Sequence, residues 1–232
     1  MGKVGISVEH GRYRPGPETA LASLFAGMAE ALRDHPALAA VLPDGASAEV
    51  AVVLGSRAQA DMWGVPRTAL GFHAVASRPR AGKDGERVFE VCDRLEVHVN
   101  VSANAGTLSR DWDRTPPGDR VHGLWSSLVT LPHEILHALE WAAQTGGLSP
   151  LEVFDGALPR FGAGEDALMR VAWAISARLG DGVKADGGLM EDGIEARARD
   201  ISDAVACPGL AEIAETAWTD LKEPEPAAAP RR

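Results

Sequence analysis

Cysteine is scarce in this chain. Among its 232 residues only Cys92 and Cys207 occur, and they are too far apart in sequence to form a Cys-x-x-Cys pair. Since a disulfide framework needs several cysteines, we expect buried thiols in a reducing compartment. The amino-terminal segment lacks an apolar stretch of signal-peptide length, and no apolar run approaches the length of a membrane span. These absences favour a cytoplasmic protein without a membrane partner.

Positive charge is also in short supply. The chain has 23 Lys and Arg against 33 Asp and Glu, for a formal net charge of −10. Long-range electrostatic attraction to nucleic acid is therefore not expected, and we predict no nucleic-acid partner. Two local basic clusters, at 77–83 and 109–114, lie close to Pro and Gly, and both are predicted to be solvated loops.

The first half of the chain alternates between helix and strand patterns. A stripe of apolar residues with helical spacing follows Pro17 and consists of Leu21, Leu24, Phe25, Met28 and Leu32. We expect Pro36 to end or kink this helix. The apolar run 48–55 predicts a buried strand, and a short helix is expected at 56–63.

Farther along, the chain becomes mainly helical. The alternation at 95–102 is typical of a half-buried strand, and residues 103–120 predict a long loop. Helices are expected near 130–145, 165–179, 192–205 and 209–221, before a disordered, proline-rich tail at 222–232. We therefore predict an α+β fold in a single domain, 1–221, with a mixed α/β part at 1–122 and a mainly helical part at 123–221.

The segment 130–147, TLPHEILHALEWAAQTGG, has the features of a well-defined helix. Thr130 is a suitable N-cap, and Pro132 is tolerated in the first turn. Gly146 and Gly147 are typical of a helix end.

Two histidines and a glutamate on this helix have side chains that can bind a metal ion or transfer a proton. His133 and His137 are four residues apart, so they lie on the same face of adjacent turns. Imidazole nitrogens so placed suit a tetrahedral Zn²⁺, at about 2.0–2.1 Å from each nitrogen. Glu134 lies about 100° round the helix, too far to be a comfortable ligand but near enough to a water on the metal. Its carboxylate can take a proton from that water and pass it to a leaving amine.

The alternative is that this is an ordinary buried helix and that its two histidines are core residues. Ile135, Leu136, Ala138 and Leu139 are apolar neighbours that bury this helix. Burial favours the neutral imidazole, which is the form that binds metal. We therefore interpret the segment as a metal site, with core packing as the alternative.

This segment resembles the active-site helix of the zincin metallopeptidases. A catalytic zinc usually has three protein ligands and an open position. The chain has Glu140 and Ala143 where the metzincin branch has its glycine and third histidine, which excludes that branch. The gluzincin branch instead takes a glutamate from a later helix, so the resemblance implies a gluzincin-like enzyme with a small mixed sheet, an edge strand over the metal helix and a helical second half.

The resemblance assigns the third ligand to Glu195, 58 positions after His137. The string 195–198 and the small residues after it resemble the ligand helix of compact gluzincins. Glu191, Asp192 and a histidine from elsewhere are the alternatives. Asp192 and Glu195 also form a passable capping box, in which Glu195 would not bind metal.

The resemblance also implies a peptide-binding strand and further site residues, and each of these has an alternative. Residues 95–106 are the candidate for the cleft-edge strand that pairs with extended peptide, and an internal strand is the alternative. His98 faces either the cleft or solvent. Glu140 either holds the second nitrogen of His137 or faces solvent. The oxyanion-stabilising residue is one of Tyr13, His73 and His122.

The sequence thus predicts a zinc-dependent metallopeptidase. His133, His137 and Glu195 hold Zn²⁺, Glu134 is the general base and acid, and the substrate is a peptide or protein. The first alternative is a non-catalytic, zinc-stabilised peptide-binding or regulatory module. The second is a metal-free structural or interaction protein whose histidines are core residues.

Overall fold

The computed structural model describes residues 2–77, 80–85, 87–112, 114, 116–161 and 191–205. The strands are β1 Lys3–His10, β2 Ser47–Gly55, β3 Gly71–Ala76, β4 Arg80–Ala81, β5 Arg87–Val88 and β6 Val91–Asn100. The helices are α1 Pro17–Leu32, α2 Pro36–Ala39, α3 Arg57–Trp63, α4 Val101–Trp112, α5 Pro117–Leu128, α6 Thr130–Thr145, α7 Pro150–Phe161 and α8 Glu191–Ala204. The predicted α+β fold class is confirmed by this mixture of strands and helices.

A four-stranded mixed sheet organises the fold. The strand order is β1-β2-β6-β3, in which β1, β2 and β6 run parallel and β3 runs antiparallel at one edge. The short strands β4 and β5 form a separate antiparallel pair. The parallel strands are joined through helices, as parallel pairing requires.

One face of the sheet carries the main core. The predicted stripe of α1 is buried there together with Val52, Val97 and Val99 from the central strands and Ile135 and Leu139 from α6. Each fully buried side chain of this size contributes about 1.5–3 kcal/mol through removal of apolar area from water. A small second cluster on the other face joins α3 to β3 and β6. The predicted strand at 48–55 and the helix at 56–63 are confirmed as β2 and α3.

The interpretation of 95–106 as a cleft-edge strand was wrong. Strand β6 pairs with β2 on one side and with β3 on the other, so it is internal. Residues 101–106 belong to α4. His98 faces neither cleft nor solvent, since it is 4% exposed and its ring stacks on Phe72 at 4.9 Å. On this side of the sheet the edge strand is β3, which was not predicted from the sequence.

The predicted loop at 103–120 was also wrong, because α4 and α5 occupy most of it. The side chain of Asn100 accepts a hydrogen bond from the backbone N–H of Ala103 at 3.1 Å, the contact of a helix N-cap. Val101, Ala105 and Leu108 form the buried stripe of α4. This spacing was present in the sequence but is diluted by Gly, Ser, Asp and Arg. The basic cluster at 109–114 consequently begins inside a helix.

The remaining predictions concern the ends of helices and the carboxyl-terminal part of the chain. Helix α6 begins at Thr130 with Val129 as the capping residue, so Thr130 is not the N-cap. Helix α8 confirms the expected helix at 192–205. The helices expected at 165–179 and 209–221, the tail at 222–232 and Cys207 lie outside the described residues. Within the described ranges, none of the helices combines the length and the apolar content that crossing a bilayer requires.

Candidate metal centre

Helix α6 supplies the centre of the site. Its buried residues pack against β3, β6 and α8, and they include Leu131, Ile135, Leu136 and Leu139. The remaining face carries His133, Glu134 and His137, which are partly buried. The helix ends at Gly146 in the left-handed conformation, φ 68°, as the glycine pair predicted.

The two histidines face one another. The Nε2 atoms of His133 and His137 are 3.2 Å apart, and the ring planes are inclined by 69°. Two nitrogens that bind one tetrahedral ion at 2.0–2.1 Å lie about 3.4 Å from each other. The imidazole pair therefore fits a shared zinc ion, and it also fits a hydrogen bond between a donor and an acceptor tautomer.

Helix α8 brings Glu195 to this pair. The Glu195 Oε2 atom is 3.1 Å from His133 Nδ1, and Oε1 accepts hydrogen bonds from the Arg199 guanidinium at 2.8 and 3.0 Å. The carboxylate thus contacts the ring nitrogen that points away from His137. This is the position of a carboxylate that orients a metal-binding histidine, whereas a ligand would approach the Nε2 pair.

The predicted three-ligand set is only partly assembled. Within the described part of the chain, no three His, Cys, Asp or Glu side chains are arranged to hold a metal ion. The capping-box alternative for Glu195 is not supported, because Asp192 already lies within α8 and the Glu195 carboxylate contacts His133 and Arg199. Of Glu191 and Asp192 the structure describes only the backbone, at the start of α8.

Glu134 lies against the edge strand. A Cβ atom placed on Gly71 would be 2.9 Å from Glu134 Cγ and 2.8 Å from Thr130 Cγ2. Gly71 is therefore needed for α6 to approach the start of β3 this closely. This contact was not readable from the sequence, because it joins residues that are far apart in the chain.

His73 is an oxyanion candidate whose side chain lies beside α6. It lies on β3, and its ring meets the Trp141 indole of α6 edge-on at 5.8 Å. Its Nε2 atom is buried and has no hydrogen-bond partner among the described residues. Burial lowers the pKa of His73 to about 4, with smaller contributions from the nearby His137 and His98. The ring is therefore neutral at pH 7.

The other two oxyanion candidates are Tyr13 and His122. Tyr13 follows β1, and its hydroxyl lies 2.7 Å from His10 Nδ1. It belongs to the opposite edge of the sheet from β3, so it is not part of the His133–His137 site. The side chain of His122 lies outside the described residues. Glu140, one turn past His137, is partly buried.

Comparison of the chain with family models, with curated proteins and with solved structures found no significant match. The resemblance to zincins therefore depends on the His133–His137 segment and on Glu195. The chemistry of the site has to follow from its own geometry.

Proposed function

We propose that this chain is a zinc-dependent metallopeptidase. The observation that carries the proposal is the 3.2 Å separation between the Nε2 atoms of His133 and His137. Two imidazoles on adjacent turns present two ligand atoms at the spacing of one tetrahedral ion. A carboxylate on the Nδ1 side of His133 supports this role, since metal-binding histidines usually donate their other N–H to such a group.

Glu134 is the general base and acid of the proposed reaction. Bound zinc supplies a Lewis acid and activates water. Glu134, directly next to His133 and partly buried beside β3, accepts a proton from the attacking water. It then returns that proton to the leaving amine nitrogen.

Glu195 completes the site in one of two ways. In the observed rotamer it holds His133 through Nδ1, which favours the tautomer with the proton on Nδ1 and the metal-binding lone pair on Nε2. As the third ligand it would have to turn toward the Nε2 pair. Arg199 holds Oε1 and favours the observed rotamer.

The edge strand β3 provides the place for an extended peptide. One side of β3 pairs with β6, and within the described residues its other side has no strand partner. Unpaired backbone groups at a sheet edge bind extended peptide by strand addition. Because α6 packs directly against β3, a peptide bound there passes beside Glu134.

The experiment is a zinc measurement followed by a peptidase assay on the full chain. We expect about one zinc per chain in protein never exposed to chelator, and cleavage of a peptide library that chelator abolishes. Glu134→Gln should keep the zinc and lose at least about 100-fold of the activity. Glu30→Gln, which removes the same charge from the surface of α1, is the matched control and should behave as wild type.

Two results would contradict the proposal. A folded protein without zinc would favour the structural alternative, in which the histidines are core residues. A protein that binds one zinc but cleaves no peptide would favour the zinc-stabilised peptide-binding module.

A further inference from the structure

A second candidate site lies at the carboxyl ends of the parallel strands. A cavity of about 680 Å³ opens there, and three arginines, Arg12, Arg14 and Arg57, contribute to its lining. No residue of the candidate metal centre lines this cavity. Its volume lies within the range of small-molecule sites, about 300–1,000 Å³.

The topology explains why a cavity forms at this edge. Strands β1, β2 and β6 are parallel, and each one leads into a helix at the same edge of the sheet. Residues 11–16 connect β1 to α1, while Ser56 and Ser102 stand at the starts of α3 and α4. In open sheets with parallel strands, ligands bind in the crevice outside these carboxyl ends.

The charge of the lining is unusual for this chain. Several exposed arginines elsewhere are paired with carboxylates, as Arg94 is with Glu9 and Glu96. In contrast, within the described residues no carboxylate pairs with the side chain of Arg12, Arg14 or Arg57. Among the described residues that line the cavity, Glu18 is the one acidic residue, and its Oε2 atom accepts a hydrogen bond from the backbone N–H of Arg14 at 2.7 Å.

The walls combine these cations with apolar surface. Arg57 lies against α4 at Gly106, where a Cβ atom would be 2.7 Å from Arg57 Nη2. A side chain at position 106 would therefore compete with the guanidinium for this space. Tyr13, Pro15 and Ala105 provide the apolar part of the lining.

We propose that this cavity binds a phosphorylated small molecule of about nucleotide size. Guanidinium groups bind phosphate oxygens through paired hydrogen bonds, and a cluster of three matches a group that carries up to two negative charges. The apolar walls hold the body of the ligand. In a chain with a net charge of −10, a local excess of three cations over one carboxylate also attracts an anion to this place.

Calorimetric titration of the full chain tests this proposal, with AMP, inorganic phosphate, adenosine and citrate as probes at constant ionic strength. We expect AMP to bind, phosphate to bind more weakly, and adenosine not to bind. Arg57→Gln and Arg12→Gln should each weaken AMP binding by at least about tenfold, since each loses a charge-assisted contact. Lys3→Gln is the matched control, because Lys3 is exposed at the far end of β1, about 23 Å away, and should leave binding unchanged.

Three results would overturn the proposal. In the first, AMP and phosphate both fail to bind at millimolar concentration. In the second, citrate binds as tightly as AMP, so phosphate is not the recognised group. AMP binding that falls equally in Lys3→Gln and Arg57→Gln would reveal general charge attraction instead of a site. Circular dichroism checks that each variant is folded. None of these readouts requires zinc or peptide hydrolysis, so the proposal stands or falls independently of the metallopeptidase function.

Discussion

His133 Nε2 and His137 Nε2 approach to 3.2 Å across one turn of α6. The helix pitch places the two side chains one above the other, and their rotamers turn the two Nε2 atoms toward each other. Neither ring has to move far to share an ion, so the binding free energy is not spent on ordering the site.

Removing either imidazole should abolish tight zinc binding. In His133→Ala or His137→Ala, one of the two preplaced ligands is lost, and we expect zinc to fall below about 0.1 per chain after dialysis at micromolar metal. Elemental analysis measures this. His10→Ala, at the exposed end of β1, is the control and should retain its zinc. Full zinc in His137→Ala would show that the metal binds elsewhere.

Glu195→Ala separates the two roles considered for this residue. A carboxylate that only orients His133 should cost about 10–100-fold in zinc affinity, and a larger loss would identify a direct ligand. Competition with a fluorescent chelator measures the change. Arg199→Gln should alter the affinity by no more than a few fold, because its ion pair with Glu195 is exposed. Unchanged affinity in Glu195→Ala would move the assignment to Glu191 or Asp192.

Gly71→Ala should disturb the contact between β3 and α6. The added Cβ would meet Glu134 Cγ, Thr130 Cγ2 and the backbone oxygen of His98 at 2.8–3.2 Å. Such overpacking costs about 1–3 kcal/mol in the free energy of unfolding. Because Glu134 has to shift, peptidase activity should fall more than zinc content does.

Gly27→Ala is the matched control for this substitution. Gly27 lies in α1, and a Cβ there would meet no atom within 4 Å. Replacing a helical glycine by alanine should stabilise the protein by up to about 1 kcal/mol. Urea unfolding measures both variants, and a Gly71→Ala protein as stable and active as wild type would contradict the close approach of α6.

His73 should make the protein less stable in mild acid. Its pKa is lowered to about 4 in the folded protein, so between pH 6.5 and 4 the unfolded chain binds a proton that the folded protein does not. The contribution of His73 to stability is therefore complete above pH 6.5 and decreases as the pH falls toward 4. The shift corresponds to about 3 kcal/mol at most.

The measurement compares urea unfolding at pH 7.5 and at pH 4.5. His73→Gln does not titrate, so its loss of stability between these values should be smaller than that of wild type. Comparing each protein with itself removes the direct effect of the substitution on packing. Equal losses in the two proteins would mean that His73 is accessible to protons in the folded state.

Features that depend on neighbouring residues were readable from the sequence. The stripe of α1, the buried run of β2 and the helix α6 follow from apolar spacing and from nearby Pro and Gly. The four-residue spacing of His133 and His137 also places them together without tertiary information. Glu195 was found through a resemblance, and the structure places it beside His133.

Strand order was not readable, because it depends on which segments pair over long distances. Alternation at 95–102 indicates that one face is buried, but it does not distinguish an edge strand from an internal one. The same limit applies to β3, a short strand of six residues that includes Gly71.

The sequence by itself determined helix α6, its paired histidines and the carboxylate next to them, since a helix repeats every 3.6 residues whatever surrounds it. Tertiary structure alone decided that β3 is the edge strand beside Glu134, that Glu195 contacts Nδ1 of His133, and that Arg57 of α3 lines one cavity with Arg12 and Arg14 from the connection after β1. Those relationships join residues tens of positions apart, and only the folded arrangement of the chain fixes such distances.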